Sequence, residues 1–244
     1  GLRARLPQAP GGGRPGAAGR WGMELLMNAE KVGRILSQYG RSVGFFMPWH
    51  GSSEVYDWIL AEVLLRRSRR VTAVRIYKLI KERYPSFSAL AKASLEDLVS
   101  LVRPLGLTRT RATHLQCLAQ RLRNSSVSSL RFSDLVSLKG VGPYIAKSVL
   151  LHLEVDRVFP VDSGAQRVIR RVLGALPPLR TRGADPERDP FVQAVVSLWL
   201  QIFDLQELRW LHIGILKLSY EVCQPKPRCH SCILRSDCLS ARSR

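Results

Sequence analysis

The stretch Leu138-Lys139-Gly140-Val141-Gly142-Pro143-Tyr144-Ile145-Ala146 decides the architecture. A helical apolar pattern, Phe132 to Leu138, runs into it, and a second, from about Tyr144 to Leu153, runs out of it. Between them lies a tight Gly-x-Gly turn, whose glycines permit positive φ and close backbone approach. A helix opening beside such a turn can offer its free N–H groups to an anion, and Lys139 adds charge. Many ordinary helix connections also contain a Gly-x-Gly, so the turn alone leaves its purpose open.

Outward from this hairpin the chain reads as helices throughout. Residues 24–39 carry Leu25, Leu26, Val32, Ile35 and Leu36 on one side. Helical patterns follow at Val55–Arg67, Arg70–Tyr84, Phe87–Ala93, Leu95–Val102 and Arg109–Arg123, punctuated by Pro85, Pro104 and Gly106. Beyond the hairpin a helix begins near Asp162, Pro177–Pro190 is a polar loop, and two helices occupy Phe191–Phe203 and Leu208–Tyr220. There is no sustained strand alternation, tandem repeat or heptad, so the expected class is all-α.

The chain holds 38 Lys and Arg against 19 Asp and Glu, a formal net charge of +19. Residues 1–22 contain only Arg3, Arg5, Arg14 and Arg20, so most of the excess lies on the foldable part. A folded body this basic most often meets a polyanion, nucleic acid being the usual one and a membrane surface the competitor. No apolar run approaches the roughly 20 residues a spanning helix needs. Residues 1–22, rich in Gly, Pro, Ala and Arg, are expected to form a disordered basic tail or an over-extended start. They show no signal-peptide core, which points to an intracellular protein with reduced cysteines.

Four of the five cysteines, Cys223, Cys229, Cys232 and Cys238, sit in C-x5-C-x2-C-x5-C spacing. Four thiolates this close in sequence can converge on one centre, zinc or iron–sulfur alike. Lys226, Arg228 and Arg235 stud the same loop and can face phosphates. Cys117 stands alone on a helical pattern and reads as core. Asp162, twenty residues after Gly142, either caps the helix that follows or serves chemistry. Glu62, inside the apolar run Trp58–Leu65, is either exposed or buried for a purpose; burial would raise its pKa and suit proton donation.

Together these pieces resemble the endonuclease III-like branch of the helix-hairpin-helix DNA glycosylase superfamily, over about residues 46–240. Members carry a hairpin of the form L-x-G-V-G-x-x-x-A, a catalytic Asp about twenty residues on, and a terminal four-cysteine [4Fe–4S] loop. The usual first cysteine gap is one residue longer than the one here. The resemblance implies two helical lobes with DNA across the cleft: residues 46–156 as a six-helix lobe with the hairpin, and residues 23–45 plus 157–244 as a cluster lobe. It implies a [4Fe–4S] cofactor on the four cysteines, and a monomer acting on double-stranded DNA with a mispaired or damaged base. Asp162 would be the catalytic carboxylate. Lys139, Gly140, Gly142 and Lys147 would contact phosphates, and the target nucleotide would be flipped from the stack.

Three positions bear on the target base. Tyr144 stands where strand-cleaving members carry a nucleophilic lysine, and a phenol forms no Schiff base. Leu64-Leu65-Arg66-Arg67-Ser68 is similar to the L-L-R-R-T stretch of thymine-DNA mismatch enzymes, and Arg suits guanine's acceptor edge. Pro104-Leu105-Gly106-Leu107 matches the wedge loop, with Leu107 as an apolar wedge. The further C-terminal domain common in adenine glycosylases does not follow Cys238 in this sequence. Glu62 fits both branches, and Gly164 departs from the His or Asn common two residues after the Asp. The expectation is a monofunctional thymine or uracil glycosylase acting opposite guanine, with Asp162, Tyr144 and Glu62 at its centre. Adenine excision from A:G or A:8-oxoguanine, and a non-catalytic iron–sulfur DNA-binding module, remain alternatives.

Overall fold

Helix α2 (Val55–Leu65) has no polar face, and every residue from Val55 to Leu64 is buried. A helix apolar all round belongs inside a bundle, and its neighbours pack around it accordingly. They are α3 (Arg70–Arg83), α6 (Thr108–Leu122) and α8 (Pro143–His152). Two short helices, α4 (Phe87–Leu90) and α5 (Leu95–Val102), pack on α6; Ser86 and Ser94 cap them by accepting from Ala89 and Asp97 N–H. Helix α7 (Phe132–Ser137) packs on α8 and completes the hairpin. These elements form one compact unit, Phe45–Asp156.

The structure is a computed structural model describing residues 15–174 and 185–242, with the side chains of residues 15–21, 23 and 242 outside the description. The described residues within 1–44 and 157–244 form the second compact unit. Its spine is α1 (Pro15–Val43) against α11 (Leu205–Glu221), which meet backbone to backbone. A Cβ on Gly40 would fall 1.9 Å from the Trp210 carbonyl oxygen, and one on Gly214 2.1 Å from that of Leu36. Helix α10 (Pro190–Ile202) joins them, its Trp199 Nε1 donating to the Ala29 carbonyl at 2.8 Å. Helix α9 (Ser163–Ile169) runs on through a π turn, Arg170–Gly174, and packs on α11. The last element is α12 (Leu239–Arg242).

The described residues contain no strand, and the class is all-α. Among them no helix is long and apolar enough to cross a membrane. The expectation of a disordered tail over residues 1–22 is corrected for its last part: α1 begins at Pro15. Proline is preorganised for a first helical position, and Ala17, Ala18 and Arg20 are good helix formers. Residues 1–14, and residues 177–184 of the expected polar loop, lie outside the described residues. The rest of that loop makes a short 3-10 turn, Pro186–Arg188, ahead of α10.

Candidate active site

In the Phe45–Asp156 unit the hairpin turn closes with Val141 N–H donating to the Leu138 carbonyl at 3.0 Å. Its two glycines differ. Gly140 has φ +92, a conformation L side chains rarely adopt, and a Cβ there would sit 3.0 Å from His114 Nδ1. Gly142 has φ −93 and is the exposed N-cap of α8, with nothing within 4 Å of where a Cβ would be. Of the two glycines expected to permit positive φ, only Gly140 adopts it. Gly142 leaves open space at the start of α8, and Pro143 opens that helix without a side-chain cap. Lys139 is exposed, and Tyr144 and Lys147 are half-buried within the first two turns.

Glu62 is 8 % exposed, and its Oε1 accepts from Ser148 Oγ at 2.9 Å. Ser148 lies four residues after Tyr144, so both occupy one face of α8. The buried carboxylate of α2 is thus tied to the helix face that carries Tyr144.

Arg66, Arg67, Leu107 and Gly140, distant in sequence, line a single cavity of about 130 Å³. Leu107 is 55 % exposed with φ +48, and Arg67 has φ +53, so two non-glycine residues hold left-handed backbone beside it. Val63 of α2 and Thr110, Arg111 and His114 of α6 complete the lining. Burial, then the charges of Lys139, Arg66 and Arg111, push the His114 pKa below its ordinary value. The sequence reading missed these three α6 residues and Ser148. The available signal was spacing: positions 107, 110, 111 and 114 share one helical face.

In the other unit Asp162 is the N-cap of α9, its Oδ1 accepting from Ala165 N–H at 2.7 Å. Burial drives its carboxyl above the ordinary range, opposed by the Ala165 N–H and the Arg167 charge. The Gly164 and Asp162 backbone N–H groups also favour the charged carboxylate. Gly164 sits where α9 meets α11, and a Cβ there would lie 2.7 Å from Ser219 Oγ and 3.1 Å from Asp162 Oδ1. A side chain at position 164 would require Ser219 to shift.

Cys223 and Cys238 are buried, Cys229 and Cys232 half-buried, and all four are free thiols. Burial, then the charges of Cys223, Cys238 and Cys229, push the Cys232 thiol up. Two arginines brace the loop: Arg167 Nε donates to the Cys223 carbonyl at 2.7 Å, and Arg171 Nη1 to that of Gln224 at 2.7 Å. Among the described residues, no three Cys, His, Asp or Glu side chains are gathered tightly enough to hold a metal ion. Four thiols are the donor type of an all-sulfur centre, but in this structure they are not gathered at ligand spacing. Cys117 is half-buried on α6.

Residues 60–180 match the family described as HhH-GPD superfamily base excision DNA repair protein. The chain is 30 % identical over 196 residues to the thymine-DNA glycosylase of Aeropyrum pernix, covering 79 % of this chain and 86 % of that one. It is 32 % identical over 195 residues to the thymine/uracil-DNA glycosylase of Pyrobaculum aerophilum, covering 78 % and 82 %. An adenine DNA glycosylase of Buchnera aphidicola is 22 % identical over 202 residues, covering 81 % and 56 %. Among solved structures, a thermostable thymine-DNA glycosylase has the same fold, with a TM-score of 0.72 at 21 % identity over 89 % of this chain and 98 % of that one.

The chain belongs to the HhH-GPD superfamily of base excision DNA repair proteins. It is a DNA glycosylase, an enzyme that hydrolyses N-glycosyl bonds.

Proposed function

We propose that the chain is a monofunctional glycosylase that removes thymine or uracil mispaired with guanine in double-stranded DNA, acting as a monomer. The observation that carries this is the convergence of Arg66, Arg67 and Leu107 on one cavity beside the hairpin turn. A guanine left without its partner presents acceptors to arginine, and an exposed leucine fills a vacated stack. The similarity to enzymes named for thymine and uracil supports the same choice.

Hydrolysis of a glycosidic bond develops positive charge on the sugar. Burial raises the pKa of Asp162; in its ionised form the desolvated carboxylate stabilises that charge or orients the attacking water, and it acts more strongly on the transition state than on the ground state. Tyr144 shapes the base pocket and, being a phenol, forms no Schiff base, so the strand stays intact. Glu62, held by Ser148, donates a hydrogen bond or positions water. Lys139, Lys147 and the open N-terminus of α8 beyond Gly140 and Gly142 take backbone phosphates.

Cys223, Cys229, Cys232 and Cys238 would hold a [4Fe–4S] cluster. Such a cluster pins the loop carrying Lys226, Arg228 and Arg235, all exposed, toward DNA. A purified chain that is brown, with broad absorption near the violet end and bound iron and sulfide, supports the cluster; a colourless zinc protein contradicts it.

Adenine excision is the second reading, favoured by one observation: a buried carboxylate such as Glu62 suits protonation of a leaving purine. One panel separates the readings. Labelled T:G, U:G, A:G and A:8-oxoguanine duplexes are incubated with the chain, with and without alkali. Release of thymine and uracil, with strand cleavage only after alkali, is expected. Adenine release replaces the proposal with the second reading. Tight duplex binding with no base released indicates a non-catalytic module.

A further inference from the structure

We propose that Arg111 is a positioning residue that locks the turn carrying Arg66 and Arg67 to the turn carrying Leu107, so that both enter the duplex as one rigid wedge. The inference rests on the proposal that these side chains fill the gap left by an extruded nucleotide.

Arg111 lies on α6 and is 4 % exposed. Its guanidinium collects acceptors from three segments. Nη1 donates to the Val63 and Leu64 carbonyls, the latter at 3.2 Å. Nη2 donates to the Arg66 carbonyl at 2.9 Å and to Ser68 Oγ at 3.0 Å. Nη2 and Nε reach the carbonyls of Leu105 at 3.5 Å and Gly106 at 3.4 Å. Ser68 Oγ also lies 3.5 Å from the Leu105 carbonyl, a second link between the turns.

Two features separate this from ordinary packing. First, among the described residues no carboxylate pairs with Arg111, and a buried cation without a counter-charge is costly unless other groups compensate. The compensation here is the end of α2: the Val63 and Leu64 carbonyls belong to its last turn, whose oxygens have no helical partner and carry the negative end of the helix dipole. Second, each braced turn contains a strained left-handed residue, Arg67 (φ +53) and Leu107 (φ +48). Such residues persist only where surrounding contacts overdetermine them. Both have exposed side chains lining the same cavity. Arg111 therefore holds in place the two conformations that aim the wedge.

Lysine at position 111 keeps the charge but replaces a planar five-donor fork by a single ammonium, which cannot span these acceptors. The test compares the full-length wild-type chain with R111K, using a U:G duplex with 2-aminopurine beside the mispair, whose emission rises when the stack opens. R111K is expected to melt as a folded protein and to bind a matched duplex within about twofold of wild type, because charge and phosphate contacts persist. Its emission rise should collapse, and single-turnover uracil release should fall roughly 10- to 100-fold. L107A should show the same collapse. S68A, which removes one contact and no charge, should show it in smaller measure and decides the matter if R111K does not fold.

Full stack opening by both R111K and S68A overturns the brace, as do losses of matched-duplex binding and melting in proportion to extrusion. A wild-type chain that opens the stack but frees no base refutes the proposed chemistry alone, and the emission comparison still tests Arg111.

Discussion

The two hairpin glycines look alike in sequence and should respond oppositely to alanine. At Gly140, φ is +92 and a Cβ would crowd His114 Nδ1 at 3.0 Å. Forcing an L side chain into left-handed backbone costs about 1–2 kcal/mol, and the half-buried His114 ring can yield enough to keep the contact cost small. Gly140→Ala should therefore lower the melting temperature by about 2–8 °C for a chain of this size. At Gly142, φ is −93 and nothing lies within 4 Å of the new methyl. Alanine there restricts the unfolded chain and should leave stability unchanged or raise it by about 0.4–1 kcal/mol. The methyl group would, however, stand where a phosphate approaches the first turn of α8. Losing charge-assisted hydrogen bonds worth about 1–3 kcal/mol should weaken duplex binding roughly 5- to 100-fold. Thermal melting and fluorescence anisotropy at one fixed salt concentration measure the two effects. Wild-type affinity in Gly142→Ala would remove the phosphate from this helix terminus, and an unshifted melt in Gly140→Ala would refute the strain argument.

Burial raises the folded-state pKa of Asp162, so its ionisation costs stability. The cost is absent below the ordinary carboxylate value and grows as pH rises through the folded value. Asp162→Asn, which keeps a capping side chain, should melt at or above wild type at neutral pH, with the difference vanishing in acid, whereas Asp162→Ala should lose about 1 kcal/mol of cap in melting experiments. The pH–rate profile of base release should have its acidic limb above the ordinary carboxylate range; a limb within it would contradict a desolvated catalytic carboxylate. Tyr144→Lys should gain borohydride-trappable covalent adducts with an abasic duplex, absent in wild type. Reconstitution with iron and sulfide should protect the loop of Cys223–Cys238 from proteolysis and raise duplex affinity; equal digestion and affinity without them would remove the structural role of a cluster.

The all-α class is legible because apolar spacing and breakers agree along the chain, and Leu95–Val102 matches α5 residue for residue. Gly140 and Leu107 are legible through local motif, but the left-handed backbone of Leu107 is not, since leucine carries no residue signal for it. Arg111 and His114 are hidden because α6 is rich in polar residues and reads as a solvated face; burial of Arg111 follows from where α2 ends, a tertiary fact. Ser148 reads as an ordinary helix residue until α2 places Glu62 against it. The role of Gly164 is likewise set by Ser219, distant in the chain. The start of α1 at Pro15 escapes a composition argument, which weighs Gly and Pro against order without locating Pro at a helix start.

The account stands on the charge of one side chain. Single-turnover release of labelled thymine and uracil from T:G and U:G duplexes, by wild type and Asp162→Asn at equal saturation, tests it most directly. The expected result is a variant that folds and binds but releases base at least about 100-fold more slowly. Release at the wild-type rate would leave Asp162 as the cap of its own helix and nothing more.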